Sequence, residues 1–260
     1  MKRVVRRLQR EIRGATRNPF PGERRLIVHA CHHKTGTVWF KRILRRTCAT
    51  YGLVFHDGAQ DELRPDIGVF FQQKGRVDLE RLPPFRGSHM IRDPRDMIVS
   101  GYFYHQWTQE PWALVPDDRY GGLSHQEYLQ TLSPADGLLV EIDAFASGPD
   151  LRDMLAWSYG HPDVMELRYE DVIADEERSF RALFEHYGFT PAAVERCLGV
   201  AHEFTFARQK RLEGDRRTSH LRSGRTGQWR ELMEPVHVER VKERLGDALV
   251  QLGYESDLDW

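Results

Sequence analysis

The stretch Leu26-Ile27-Val28-His29-Ala30-Cys31-His32-His33-Lys34-Thr35-Gly36-Thr37-Val38-Trp39-Phe40-Lys41-Arg42-Ile43-Leu44 decides the fold. Its apolar start predicts a buried strand, its middle a short loop carrying a lysine and a glycine, and its end a helix. A strand, a short loop and a helix N-terminus make a cradle for anions. Loop N–H groups face the ligand, the helix dipole favours negative charge, and Lys34 adds a cation. Trp39, one turn into the helix, can lie against a nucleotide base. The order of residues excludes a Walker A loop, whose lysine follows its second glycine; here Lys34 precedes Gly36.

Working outward, the second informative stretch is Gly87-Ser88-His89-Met90-Ile91-Arg92-Asp93-Pro94-Arg95-Asp96-Met97-Ile98-Val99-Ser100. Asp93 suits an N-cap, Pro94 suits N1 where its missing N–H loses nothing, and Asp96 stands at N3. The residues before Arg92 read as a short buried strand. Arg92 then falls at the strand's carboxyl end and Ser100 two turns into the helix, near the crevice where α/β sheets bind ligands. An arginine fork and a serine hydroxyl suit a phosphate group. The plainer reading of the same residues is an Arg92–Asp96 pair with Ser100 packed.

Together the two stretches resemble the PAPS-dependent sulfotransferases. Lys34-Thr35-Gly36-Thr37-Val38-Trp39 is similar to that family's P-K-S-G-T-T-W loop, and Arg92 to Ser100 to its R-[ND]-P-[KR]-D-x-x-x-S segment. Tyr169-Glu170-Asp171 resembles the Y-E-D segment. Leu221-Arg222-Ser223-Gly224-Arg225-Thr226-Gly227-Gln228-Trp229 resembles the late R-K-G-x-x-G-x-W loop, and a charged helix from Val236 to Leu252 follows. The resemblance spans residues 25–253 in the family's own order. It implies an α/β fold with a central parallel sheet flanked by helices, a three-layer sandwich like that of the P-loop NTPases. It also implies PAPS as donor. Lys34, Thr35, Gly36, Thr37 and Val38 would hold the 5′-phosphosulfate, Trp39 and Tyr169 would flank the adenine, and Arg92, Ser100, Arg222, Ser223 and Gly224 would take the 3′-phosphate.

The departures from the family pattern bear on the proton acceptor. Relatives acting on phenols and steroids carry a K-x-H on the strand before the Arg92 strand, and its histidine is their base. Here the matching run, Ile67-Gly68-Val69-Phe70-Phe71, ends in Gln72-Gln73-Lys74. Glutamine cannot remove a proton. His105, on the helix after Ser100, and His33, beside Lys34, are the leading candidates; His89, His56 and Glu110 are further ones, since a histidine is the natural proton acceptor near neutral pH. Alternation along the strand puts His89 on the face opposite Arg92, towards the core.

Composition supports a globular enzyme. The chain has 260 residues, 40% hydrophobic and 30% charged, with a formal net charge of −1, which argues against nucleic acid as a partner. The acceptor is expected to be a small molecule, a lipid or a carbohydrate. Cys31, Cys48 and Cys197 have neither zinc spacing nor an even count, so reduced thiols and a cytoplasmic location are expected. No metal motif stands in the sequence. Arginine far outnumbers lysine, as in GC-rich bacterial coding sequence.

Residues 1–25 hold nine Lys or Arg against Glu11 and Glu23, a net of +7. Val4, Val5, Leu8 and Ile12 fall at helical spacing, which predicts a basic amphipathic helix. Two readings stand for it: a docked or solvated terminus, or peripheral contact of residues 1–20 with an anionic membrane surface. The expected organisation is a basic segment at 1–24 and a single domain at 25–260.

Further along, 108–123 is aperiodic and loop-like, and Ser124 to Glu127 reads as a capping box. Helices are expected at 136–146, 150–158 and 175–187, the last with Gly188 at its C-terminal cap, and a strand at 164–167. Pro191 suits N1 of another helix. Polar, arginine-rich 209–227 reads as a loop ordered by a polyanionic ligand.

Overall fold

The computed structural model describes residues 18–213 and 224–260. In chain order the elements are β1 (Leu26–Cys31), α1 (Thr37–Tyr51), β2 (Val54–His56), β3 (Ile67–Gln72), β4 (Phe85–Ile91), α2 (Pro94–His105), α3 (His125–Thr131), α4 (Pro134–Ser147), α5 (Pro149–Leu155), β5 (Val164–Arg168), α6 (Tyr169–Ala174), α7 (Glu176–His186), α8 (Pro191–Glu203), α9 (Phe206–Glu213), α10 (Trp229–Leu232) and α11 (Pro235–Gln251). The basic helix expected within residues 1–17, and the late-loop residues Arg222 and Ser223, lie outside the described residues.

The five strands form one sheet of order β2-β3-β1-β4-β5, parallel throughout. β1 is buried along its whole length, which is why it reads as an unbroken apolar run rather than an alternation. Connections diverge at β1 and β4: the chain leaves β1 towards β3 and β2, and β4 towards β5. Divergence of this kind opens a crevice at the carboxyl ends of the two strands.

Two compact units divide the chain, one of Met1–Ile91 with Trp157–Gln209 and one of Arg92–Ala156 with Lys210–Trp260. The first holds the whole sheet. Ile27, Val69, Phe71 and Met90 project to one face, into a core shared with Phe40 and Ile43 of α1, Phe180 and Phe184 of α7 and Val194 and Leu198 of α8. Val28, Ala30 and Phe70 project to the other face, against Leu79, Phe85 and Trp157. In the second unit, α4 packs against α2 and α11.

The helix ends follow the chemistry read from the sequence. Asp93 caps α2 by accepting from the Arg95 N–H, with Pro94 at N1. Ser124 and Glu127 form the capping box that opens α3. Pro191 opens α8, and Gly188 follows α7 with φ 82°. One expectation is corrected: residues 209–213 are the end of helix α9, not loop. Gln209, Lys210, Arg211, Leu212 and Glu213 are all good helix formers, so a polar run without an apolar stripe still continues a helix.

Candidate active site

The turn between β1 and α1 is built on His32. Its carbonyl accepts from the Thr35 N–H (3.3 Å), the Thr35 hydroxyl (2.8 Å) and the Thr37 hydroxyl (2.9 Å). Its own N–H donates to Thr35 Oγ1 at 3.1 Å. Lys34 has φ 66°, the one positive φ at a non-glycine among the described residues, and Gly36 caps α1 at φ 91°. Lysine in the left-handed region costs on the order of 1 kcal/mol, and such strain persists where the surroundings impose it. Here Thr35 and Thr37, tied to one carbonyl on either side of Gly36, impose it.

Trp39 and Tyr169 stand edge to face, centroids 6.4 Å apart, beside this turn. A Cβ at Gly36 would lie 3.4 Å from the Tyr169 ring. Both rings belong to the core: Trp39 is 6% exposed, Tyr169 5%, and Trp39 also packs edge-on to Phe180. Little of either ring is exposed.

In the second unit, Arg92 is buried and Ser100 half-buried. Arg92 Nη2 lies 3.8 Å from Asp96 Oδ2, so the Arg92–Asp96 pair of the plainer reading is present. Asp96 does more than that. Its carboxylate accepts from the Gly227 N–H at 2.7 Å and the Trp229 N–H at 3.1 Å, tying the described end of the late loop to α2. Burial raises the Asp96 pKa from its ordinary value, while Arg92 and the two main-chain donors oppose that rise. Arg95 anchors the same loop: its guanidinium forks onto Asp93 and lies over the Trp229 ring at 4.0 Å and the Trp260 ring at 4.5 Å. Gly224 has φ 63° and Gly227 71°, turns that glycine makes without strain.

Further along α2, His105 Nδ1 lies 2.8 Å from Glu141 Oε1 on α4, and His125 Nε2 lies 3.2 Å from Glu141 Oε2. All three side chains are buried. Burial alone would raise the Glu141 pKa. The charge and hydrogen bonds of His105, with those of His125, outweigh it and pull the carboxyl down to about 2. Trp112, 48% exposed, stands edge-on to the His105 ring at 4.8 Å. Glu110 holds that region by accepting from the Trp112 Nε1–H (2.7 Å) and the Tyr104 hydroxyl (2.8 Å).

A sulfotransferase-domain family model matches residues 89–253, more than half of the chain. The chain belongs to the sulfotransferase family. No curated protein matches it by sequence. Among solved structures it is similar to mouse sulfotransferase SULT7A1 complexed with PAP, at 16% identity and TM-score 0.59, covering 88% of this chain and 86% of that one. It is also similar to retinol dehydratase in complex with androsterone and inactive cofactor PAP, at 14% identity and TM-score 0.55, covering 92% and 85%. The same enzyme with retinol and PAP gives 14%, TM-score 0.53, 88% and 82%. At these identities the likeness is one of fold. The family match takes in Arg92, Ser100, Tyr169 and the late loop, and begins after the Lys34 turn.

In this sulfotransferase, Lys34 to Trp39 meet Tyr169 in one unit, and Arg92 meets the Gly224–Trp229 loop in the other. His33 is half-buried beside Lys34, and His56 stands on the edge strand β2 with Nε2 2.8 Å from the Ala59 carbonyl. Glu141 and His125 escaped the sequence reading, since neither stands in a motif. The only trace of them is a lone acidic residue within the apolar Gly137–Ile142 run and a histidine just inside a capping box.

Two buried histidines set a pH limit on the sulfotransferase fold. His29 (Nδ1 2.8 Å from Ser88 Oγ, itself 2.7 Å from the Tyr187 hydroxyl) and His32 are pushed from 6.5 down to about 3, by burial first and by nearby His89 second. Between pH 3 and 6.5 the unfolded chain therefore binds protons that the native state refuses. Stability is full above pH 6.5 and falls as pH drops towards 3, by on the order of 1 kcal/mol per pH unit for each histidine. Melting temperatures at pH 7.5, 6 and 5 should fall in that order. A midpoint unchanged down to pH 5 would contradict this account.

Proposed function

We propose that the chain moves the sulfuryl group of PAPS onto a hydroxyl or amine of a small-molecule, lipid or carbohydrate acceptor. One observation carries the reading: a lysine held at φ 66° two residues before a glycine N-cap, just past the carboxyl end of the central strand. That turn presents a cation and the unpaired N–H groups of a helix start to the same anion. The strain at Lys34 has a ready account if the ammonium must meet one particular oxygen. With donor, sulfur and acceptor in line, Lys34 would neutralise charge on the departing 5′-phosphate, as cations do in phosphoryl transfer.

Thr35, Gly36, Thr37 and Val38 would cradle the phosphosulfate, with the edges of Trp39 and Tyr169 against the adenine. Arg92, Ser100, Arg222, Ser223 and Gly224 would bind the 3′-phosphate. Lys34 and Arg92 meet the charge in this reading, so it calls for no metal. The Glu141 carboxylate beside Nδ1 of His105 supports His105 as the proton acceptor, since it would hold the ring and stabilise the imidazolium once formed. His33, beside Lys34, is the second candidate. The exposed Trp112, Leu114 and Val115 favour an acceptor with an apolar part.

Calorimetric titration of adenosine 3′,5′-bisphosphate, with 5′-AMP as control, tests the proposal. Strong preference for the bisphosphate, lost in Arg92→Ala, is the expected result. Equal binding of the two nucleotides would point to a phosphotransferase. Tight bisphosphate binding with no release of labelled sulfate from PAPS would point to a non-catalytic binder.

A further inference from the structure

Beneath the Lys34 turn lies a row of side chains, buried at His32, His89 and Trp157 and reaching the surface at Glu166, that the reaction above leaves unused. Strand register brings them together. His89 on β4 is the partner of Glu166 on β5 and of Ala30 on β1, and His32 follows Ala30 by two residues, on the same side of the chain. His89 Nδ1 lies 2.7 Å from Glu166 Oε2, and His89 Nε2 lies 2.8 Å from His32 Nε2. Trp157 donates its Nε1–H to Glu166 Oε1 at 2.9 Å and stacks its ring on His89, centroids 4.0 Å apart.

The protons in this row are fixed from the carboxylate inward. Glu166 can only accept, so the Nδ1 of His89 carries hydrogen and its Nε2 is bare. Two ring nitrogens at 2.8 Å share one hydrogen, so His32 must donate from Nε2. His32 Nδ1 is then a bare, fully buried nitrogen, and it has no hydrogen-bond partner. A turn of the ring would break its bond to His89. Gly75 closes over it, and a Cβ at that position would stand 2.4 Å from His32 Cε1. An orphaned nitrogen of this kind costs about 1–3 kcal/mol, a sign that the arrangement serves something other than stability.

We propose that Glu166 and His89 are positioning residues that lock His32, and through it the Lys34 turn, in the geometry needed for sulfuryl transfer. The proposal rests on the assignment of Lys34 to the phosphosulfate. His32 is the pivot because its peptide carries the bonds to Thr35 and Thr37 described above, while its ring is held by His89. A ring fixed in place fixes the carbonyl, the carbonyl fixes both threonines, and the threonines hold Lys34 in its left-handed turn. Glu166 is 32% exposed at its side chain, so the lock is anchored at the surface and reaches the turn through two rings.

Glu166→Gln tests the lock with little change of shape. Two donors, Trp157 Nε1–H and His89 Nδ1–H, would then compete for one amide oxygen, and His89 is forced to the other tautomer. In the full chain the expected result has three parts. Labelled sulfate released from PAPS, with water as acceptor, slows at least tenfold. The dissociation constant for adenosine 3′,5′-bisphosphate stays within twofold. Nitrogen NMR of the histidine rings shows His89 passing from Nδ1–H to Nε2–H, and Glu166→Asp recovers part of the rate.

Unchanged sulfate release, or a loss matched by equal losses in nucleotide affinity and melting temperature, would overturn the proposal. So would a wild-type spectrum with His89 protonated at Nε2. A wild-type protein that fails to bind the bisphosphate defeats the PAPS reading instead, and the two failures are told apart by the first titration.

Discussion

Lys34→Ala is expected to slow sulfate release from PAPS by about 10²–10³-fold while leaving bisphosphate binding within a few-fold. Removing one preorganised group that stabilises transition-state charge has effects of that size, about 3–4 kcal/mol. The separation of the two readouts matters, because the leaving phosphate carries its extra charge in the transition state and not in the bound product. Lys34→Gly sharpens the test. It deletes the same ammonium but relaxes φ 66°, so the protein should gain about 1 kcal/mol of stability while losing the same activity. A glycine variant that keeps a tenth or more of wild-type turnover would show that the ammonium is not what stabilises the leaving group.

Asp96→Ala is expected to be the most destabilising single change near the candidate site. It removes the acceptor from two main-chain N–H groups, those of Gly227 and Trp229, and the anion from buried Arg92. Stripping one partner from a buried charged cluster typically costs about 3–5 kcal/mol, a large share of the 5–15 kcal/mol that holds a domain folded. Urea unfolding should show the loss directly. Bisphosphate affinity should fall at least tenfold, because the loop carrying Gly224 is released together with Arg92. Wild-type unfolding and wild-type affinity in this variant would mean that the late loop is held by Arg95, Trp229 and Trp260 instead.

Legibility in the sequence divides by distance along the chain. The Lys34 turn and the start of α2 were readable because their chemistry is contiguous: Gly36 directly before a helical pattern, and Asp93-Pro94 directly after a buried strand. Each is a local solution to a local problem, the unpaired N–H groups of a helix end. Asp96 was read as an N3 residue and as a partner of Arg92, but not as the acceptor for Gly227 and Trp229, because those two donors come from a loop far away in sequence.

The His105–Glu141–His125 cluster and the Glu166–His89–His32 row depend on which helix or strand lies beside which, and no spacing records that. Trp39 shows the same limit from the other side. Its helical position was legible, but its burial against Phe180 was not, because periodicity assigns a face and not its neighbours. Residues 209–213 failed for a different reason: helix propensity without an apolar stripe leaves no pattern to read.

The strand order has a consequence for how the chain is made. β4 is complete at Ile91, yet its outer neighbour β5 begins only at Val164, after a whole stretch belonging to the other unit. On the ribosome, then, β4 waits as an open edge while residues 92–163 emerge, its main-chain donors and acceptors available to any passing strand. His89 waits with it, without the carboxylate that later accepts its Nδ1–H hydrogen bond. A nascent chain stalled in that interval holds the Lys34 turn but not the lock beneath it, and β5 is the piece that ends the exposure.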